Sequence, residues 1–209
     1  MDGGGPSPIA FVQVASHDSK DSVSSASATF VQPQQAGDLD VVVVGWSDRT
    51  LAVDTVSDSA GNSYMLAAPP ASANGVVVAV YYAPNIAPAS SNTVKVNLED
   101  TDFLCIAILE YAGVSQLDQA APGTGSSSSA STGSVVTSIA RELVFGAGEP
   151  NQNGTADFSS AGPGFDERVI TGISGMLAED MVVSQTGSYA ASGTLTGSSA
   201  WAMQVVTFR

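Results

Sequence analysis

The chain has 209 residues, of which 44% are hydrophobic and only 12% are charged, and its net charge is −14. This apolar fraction is sufficient for a packed core and excludes an intrinsically disordered chain. With 6 basic against 20 acidic residues, nucleic acid and anionic membranes are disfavoured as partners, because clustered Lys and Arg bind both.

Strand patterns recur along the chain, and no window shows the apolar i, i+3, i+4, i+7 spacing of an amphipathic helix. In the first half the predicted strands are Ile9–Ala15, Ala26–Val31, Leu39–Trp46, Ala52–Ser57, Tyr64–Ala67, Val76–Ala83, Thr93–Leu98 and Leu104–Tyr111. In the second half they are Ser126–Ser131, Ser134–Ser138, Leu143–Ala147, Glu167–Ile170, Met176–Val183, Tyr189–Leu195 and Trp201–Phe208. This pattern predicts an all-β fold, an antiparallel two-sheet β-sandwich of jelly-roll type.

Three strands also indicate which of their faces are buried. Val41–Val44 and Val76–Val80 are continuously apolar, as is typical of a strand covered on both sides. Thr93–Leu98 alternates strictly, so Lys95 should face water while its apolar neighbours face the core. The turn-forming residues Asp58–Asn62 predict a hairpin between the flanking strands.

The two halves show a faint internal duplication. A leucine followed five residues later by a long strand ending in an aromatic residue occurs at Leu98–Tyr111 and again at Leu195–Phe208. We predict a flexible arm over residues 1–8 and a single sandwich domain over residues 9–209. The alternative is two small sandwiches that divide near residues 120–134, where Pro, Gly and Ser are frequent enough for a linker.

Four segments, Asp58–Tyr64, Tyr81–Ile86, Leu109–Val114 and Trp201–Phe208, resemble a poorly characterised class of bacterial extracellular β-sandwich modules found in large surface and secreted proteins. The resemblance extends from about Ile9 to Arg209. It implies an extracellular or cell-surface location, and no catalytic residue can be carried over from it. The N-terminal sequence itself lacks the basic start and apolar core of a signal peptide.

Most catalytic chemistry is disfavoured by the scarcity of reactive residues. His17 is the only histidine and Cys105 the only cysteine, which leaves no set for a Ser-His-Asp triad or a zinc site. We expect His17 in an exposed loop after the first strand and Cys105 as a small buried residue. Glu110, within an otherwise apolar strand, is the one candidate for a carboxylate-dependent hydrolase.

Calcium is the metal that the acidity favours, since its ligands are mostly carboxylate and carbonyl oxygens. Glu99, Asp100 and Asp102 lie within four residues, in a predicted loop between two strands. They are the candidate Ca²⁺ ligands, although a solvated acidic loop explains the same pattern. No other cofactor is predicted.

Exposed aromatic rings are the usual sugar-stacking groups of carbohydrate-binding sandwiches. The candidates are Trp46, Tyr64 and one of Tyr81 and Tyr82, because adjacent strand residues face opposite sides. We assign Tyr82, and core packing is the alternative role for all of them.

Three functions remain open. The first is a non-catalytic extracellular binding or adhesion module for a glycan or another cell-surface polymer, stabilised by Ca²⁺. The second is a structural subunit that self-assembles into a filament, tube or surface layer by adding its N-terminal strand to a neighbouring copy. The third is the hydrolase that uses Glu110.

Overall fold

The computed structural model describes residues 8–151, 154 and 156–209. All but the last residue of the predicted N-terminal arm therefore lies outside the described part. The chain is all-β, with 62% strand and 0% helix, and the sheets are antiparallel. Accordingly, the described residues include no helix that is long and apolar enough to span a membrane.

The first half of the chain forms two sheets. Sheet 1 contains β1 (Ala10–Asp18), β3 (Leu39–Trp46), β5 (Met65–Leu66), β6 (Ala71–Ala73), β7 (Val76–Ala83) and β9 (Cys105–Ala112). Its order is β1-β9-β3-β7-β5, with β6 paired to the start of β7. Sheet 3 contains β2 (Val23–Thr29), β4 (Val53–Asp58) and β8 (Thr93–Asp102), in the order β2-β8-β4.

The second half forms one large sheet and a short strand pair. Sheet 2 contains β10 (Leu117–Ser131), β12 (Glu142–Pro150), β13 (Phe158–Ala161), β14 (Asp166–Ile170), β15 (Leu177–Val183) and β17 (Ser192–Phe208). Its order is β10-β17-β12-β15-β14, and β13 pairs with the start of β17. Sheet 4 pairs β11 (Val135–Val136) with β16 (Ser188–Tyr189).

Three apolar cores hold these layers together. The central core lies between sheets 1 and 2, a second core lies between sheets 1 and 3, and a third lies on the other face of sheet 2. Sheet 1 is therefore buried on both faces: Val41 and Val43 enter the central core, and Val42 and Val44 the second. This double burial explains the continuous apolar runs and confirms the prediction made from them.

The predicted all-β antiparallel sandwich is confirmed, with more layers than the two expected. In β8 the alternation is also confirmed, since Val94, Val96 and Leu98 are buried while Lys95 is exposed.

The two halves repeat one topology. β3 lies between β9 and β7 in sheet 1, and β12 lies between β17 and β15 in sheet 2. The registers also correspond, because Leu39 lies opposite Tyr111 and Leu143 lies opposite Phe208. In the second half, the single strand β10 replaces the pair β1 and β2, and β17 replaces β8 and β9.

Two local features differ from what composition predicts. Most of residues 120–134, the linker of the two-sandwich alternative, belong to β10, which pairs with β17 as far as Ser131 and contains the predicted strand Ser126–Ser131. The turn Asp58–Asn62 does not close a hairpin, because β4 pairs with β8 in sheet 3 while β5 pairs with β7 in sheet 1. In both cases the partner strand is distant in sequence, so local composition does not reveal it.

Candidate functional site

A groove of about 400 Å³ lies on the face of sheet 1 that sheet 3 partly covers. Sheet 3 has three strands against five in the order of sheet 1, so the β7 and β5 side of this face stays open. Val77 and Tyr81 of β7 form its floor together with Trp46, which lies opposite Val77 in the sheet. Cavities of roughly 300–1,000 Å³ with apolar linings are typical of ligand sites.

The wall and rim of the groove come from loops and short strands. Leu51, which precedes β4, and Val53, its first residue, form the wall, while Leu66 and Ser72 line the β5 and β6 side. Arg49 is an exposed cation at the rim. An aromatic and aliphatic floor with a few polar groups at its edge can hold an amphipathic ligand such as a sugar chain.

None of the three predicted ligand-binding aromatics presents an open ring face to the groove. Trp46 is only 1% exposed, and its indole N–H donates to the carbonyl of Asp48 at 3.0 Å, so only an edge of the ring borders the groove. Tyr82 faces the central core, where its ring lies 5.5 Å from that of Phe208. It is therefore Tyr81, on the opposite face of β7, that lines the groove.

Tyr64, the third predicted aromatic, packs on the second core and points its hydroxyl into a buried polar network. It does not line the groove. Burial raises the pKa of Tyr64 well above its usual value, and the negative charges of Asp40 and Asp58 add to the effect. Tyr64 therefore acts as a neutral hydrogen-bonding group and does not offer a free ring face.

The predicted Ca²⁺ ligands Glu99, Asp100 and Asp102 do not form a cluster. They lie within strand β8, and Glu99 and Asp100 bond to nearby backbone amides.

Asp102 is 8% exposed and accepts hydrogen bonds from the backbone amides of Ser47, Asp48 and Phe103 at 2.7–2.8 Å. Its carboxylate thus anchors the β3–β4 loop. Within the described part of the chain no group of three acidic, His or Cys side chains is arranged to hold a metal ion.

Glu110 belongs to a buried polar network at the other end of sheet 1. It is 0% exposed and lies opposite Asp40 of β3 and Gln13 of β1. Gln13 donates to Glu110 Oε2 at 2.5 Å, and the backbone amide of Gln35 donates to Oε1 at 3.2 Å. Substrate cannot reach this carboxylate in the structure, which argues against Glu110 as a hydrolytic residue.

The network continues from Asp40, which is also 0% exposed. Its two oxygens contact Gln34 Nε2 at 2.7 Å and the Tyr64 hydroxyl at 3.0 Å. Burial raises the pKa of Asp40 to about 7, partly offset by these hydrogen bonds and reinforced by the charges of Glu110 and Asp58. Burial and the Glu110 charge also raise the pKa of Asp38 to about 6.

Cys105 lies at the boundary between the halves. Its thiol donates a hydrogen bond to Asp18, which also accepts from the hydroxyl and backbone amide of Ser174. Burial and the charges of Glu149 and Asp18 raise the pKa of Cys105 well above its usual value, so the thiol stays protonated and unreactive. His17 is exposed, as predicted, but lies in β1 and not in a loop.

Comparisons of the chain with protein-family models, with curated proteins and with solved structures gave no match. The groove and the buried network are therefore the features of the molecule that bear on its function.

Sequence reasoning missed several residues of both sites. The sequence does not distinguish Tyr81 from Tyr82, since a strand buried on both faces shows no alternation that would orient them. Asp40 follows a leucine and precedes four valines. A single acidic residue at the start of an apolar strand is usually expected to face water, so the sequence does not indicate that Asp40 is buried. The acidic pair Asp40 and Glu110 lies in one network only because β3 and β9 are neighbours in register.

Proposed function

We propose that the chain is a non-catalytic extracellular binding module that holds a glycan in the groove of sheet 1. The single observation that supports this most is the half-buried ring of Tyr81 in the floor of a 400 Å³ groove, with Leu66 beside it in the sheet. Sugars present apolar C–H faces and polar hydroxyl edges, which match an aromatic floor with polar groups at the rim.

Arg49 and Ser72 supply these polar groups at the rim. The guanidinium of Arg49 offers several hydrogen-bond donors, and the hydroxyl of Ser72 both donates and accepts. A composition rich in Ser and Thr, with few Lys residues and one Cys, supports the extracellular location, as does the resemblance to bacterial surface modules.

Titration calorimetry against a panel of neutral and acidic polysaccharides tests this proposal. We expect binding to at least one polymer, and we expect Tyr81→Ala to weaken it about tenfold, since a lost ring contact of about 1.4 kcal/mol corresponds to that factor. Arg49→Gln should weaken binding by a smaller factor.

Phe103→Ala is the matched control. This ring is 38% exposed but lies outside the groove, so its removal should leave the affinity unchanged. A panel with no bound polymer, or an affinity that Tyr81→Ala leaves intact, would contradict the proposal.

A second candidate is a self-assembling structural subunit, which the position of β1 favours. β1 is a nine-residue strand at the end of sheet 1, and among the described strands it pairs only with β9. Such an edge can accept a strand from another copy. Light scattering over a wide concentration range, with and without Ca²⁺, should then show assembly, whereas a monomer throughout would rule this candidate out.

A further inference from the structure

Tyr64 places one hydroxyl proton between two carboxyl groups. Its oxygen lies 3.0 Å from Asp40 Oδ2 and 3.1 Å from Asp58 Oδ2. A phenol carries a single proton and can donate to only one acceptor in this geometry. A proton on one of the two carboxyl groups satisfies the other contact, and Asp40 and Asp58 are the two candidates to hold it.

Asp40 is the better holder of this proton. Asp58 accepts hydrogen bonds from Asn92 Nδ2 at 2.8 Å and from the backbone and side-chain nitrogens of Asn62 at 2.9 and 2.7 Å. Burial raises the pKa of Asp58, but these bonds outweigh burial and hold the pKa below its usual value. Asp40 has Gln34 as its one other hydrogen-bond donor within the described chain.

The charged groups that surround Asp40 are acidic. Glu110 faces it from β9, Asp38 lies two residues before it, and Asp58 lies at the end of β4. β1 contributes the neutral Gln13 to the network. Three ion pairs, which join Arg168 to Asp166 and Asp180 and Arg209 to Asp118, lie elsewhere in the described part of the chain.

Two loop segments, residues 31–37 and 84–92, close over this network. They pair through the backbones of Gln34 and Ala89, with N–O distances of 2.8 and 3.3 Å, and the amide of Gly37 donates to the carbonyl of Ile86 at 3.0 Å. The side chain of Gln34 is held between Asp40 and Asn92. Gln34 and Asn92 thus link the carboxyl network to the two loop segments, so a change at Asp40 affects how the segments close.

We propose that this network is a pH-sensitive latch, in which a proton on Asp40, donated to Tyr64, keeps segments 31–37 and 84–92 closed. As the pH rises, Asp40 releases the proton to water and leaves a buried carboxylate that repels Asp58 and Glu110. Opening the two segments admits water to the charge and relieves this repulsion. The latch is independent of the groove and of the glycan proposal.

The direction of the pH effect follows from proton linkage. An open, solvated Asp has a pKa near 3.9, so the closed state binds more protons than the open state between that value and the titration point of Asp40. The free energy of closure is therefore greatest in acid and falls as the pH rises. Above the titration point Asp40 is ionised in both the closed and the open state, and the free energy of closure no longer varies with pH.

Hydrogen exchange of the amides of Gln34, Gly37 and Ala89, followed from pH 5 to 8 and corrected for intrinsic exchange, tests the latch. We expect protection to fall by up to about tenfold per pH unit between pH 5 and 7, and to level off above. Asp40→Asn should reduce the fall to the part that Asp38 contributes at lower pH, because an amide donates to Tyr64 and accepts from Gln34 as the protonated carboxyl does.

Glu179→Gln is the matched control, since Glu179 is a buried carboxyl in the second half. It should leave the exchange of these amides unchanged. Protection in the wild-type chain that does not vary with pH, or a fall that is as large in Asp40→Asn as in the wild type, would overturn the latch. If Asp40→Asn fails to fold, the wild-type profile still decides, together with Tyr64→Phe, which should lower the protection at pH 5.

Discussion

The two halves of the chain share one strand order but differ in what they bury beside their central strands. In sheet 1, the pair Leu39 and Tyr111 is followed by Asp40 opposite Glu110. At the corresponding register in sheet 2, Val144 lies opposite Thr207. The second half forms the same sheet without these carboxyls, so the fold does not require them, and they are a specific property of the first half.

A second difference lies where the halves meet. Tyr82 of β7 packs against Phe208, whereas the corresponding residue of β15, Asp180, accepts a hydrogen bond from the Tyr111 hydroxyl at 2.7 Å. Asp180 also binds Nε and Nη2 of Arg168 at 2.6 and 2.9 Å. One contact of this pseudo-symmetric interface is therefore apolar, and its counterpart is polar and charged.

The largest expected effect is the loss of this polar contact. Asp180 is 1% exposed, and Asp180→Ala leaves Arg168 and the Tyr111 hydroxyl without their partner. We expect the free energy of unfolding to fall by about 3 to 5 kcal/mol, as when one member of a buried ion pair is removed. Urea denaturation measures this change.

Asp166→Asn is the control for that variant, because Asp166 bonds to the same Arg168 at 3.1 Å but its side chain is 75% exposed. It should change stability by less than about 1 kcal/mol. Equal effects of the two variants would show that the interface gains nothing from the buried position of Asp180.

The pH dependence of stability is the next effect in size. Burial raises the pKa of Glu179 to about 7, although the amides of Gly162 and Ser192 donate to it, and burial raises the pKa of Asp40 to the same value. Both groups are half-protonated near neutrality when folded but ionise near pH 4 when unfolded. Stability should therefore be greatest at acidic pH and fall by on the order of a few kcal/mol up to about pH 7.

Denaturation midpoints at pH 5 and pH 8 measure this loss in the intact chain. Asp40→Asn and Glu179→Gln should each remove part of it, one in each half. A chain that is more stable at pH 8 than at pH 5 would contradict the assignment of neutral carboxyls to both halves.

A smaller effect is expected at Asp102, the anchor of the β3–β4 loop. Asp102→Asn keeps the size of the side chain but loses the charge that strengthens its three bonds to backbone amides. We expect a loss of about 1 to 2 kcal/mol. Adding Ca²⁺ should leave the melting temperature of both proteins unchanged, and a rise in the wild type alone would restore the metal site predicted here from the sequence.

The smallest effect on stability is expected at the groove rim. Arg49 is exposed, so Arg49→Gln should change the free energy of unfolding by less than about 0.5 kcal/mol. A larger loss in thermal denaturation would show that Arg49 supports the fold of the first half and is not available to a ligand.

The sequence predicts where the strands lie better than it predicts which strands pair with each other. Val41–Val44 and Thr93–Leu98 are predicted with the correct burial because apolar periodicity is a local signal. β10 escapes detection in its first half, since Pro122 and Gly123 mark a loop by composition, yet the strand is held by its ladder to β17. Which of Tyr81 and Tyr82 faces the groove depends on two sheets covering sheet 1, and no local pattern encodes this.

The same limit applies to the carboxyl network. The apolar neighbours of Glu110 identify it as an unusual carboxyl within a buried strand. Its partners Asp40 and Gln13 cannot be identified in this way, because strand pairing brings them to Glu110 from distant segments. Conversely, Glu99, Asp100 and Asp102 are close in sequence and still form no site. Alternation along β8 and the backbone amides near Asp102 separate their carboxylates.

The most direct test of the difference between the halves is a carbon-13 NMR titration of the side-chain carboxyl of Asp40. The account predicts that this carboxyl titrates near pH 7 and that its protonated signal shifts in Tyr64→Phe, which removes the hydroxyl partner. Titration of Asp40 near pH 4, as for a solvated aspartate, would contradict this, because no proton would then lie between Asp40 and Tyr64 at neutral pH.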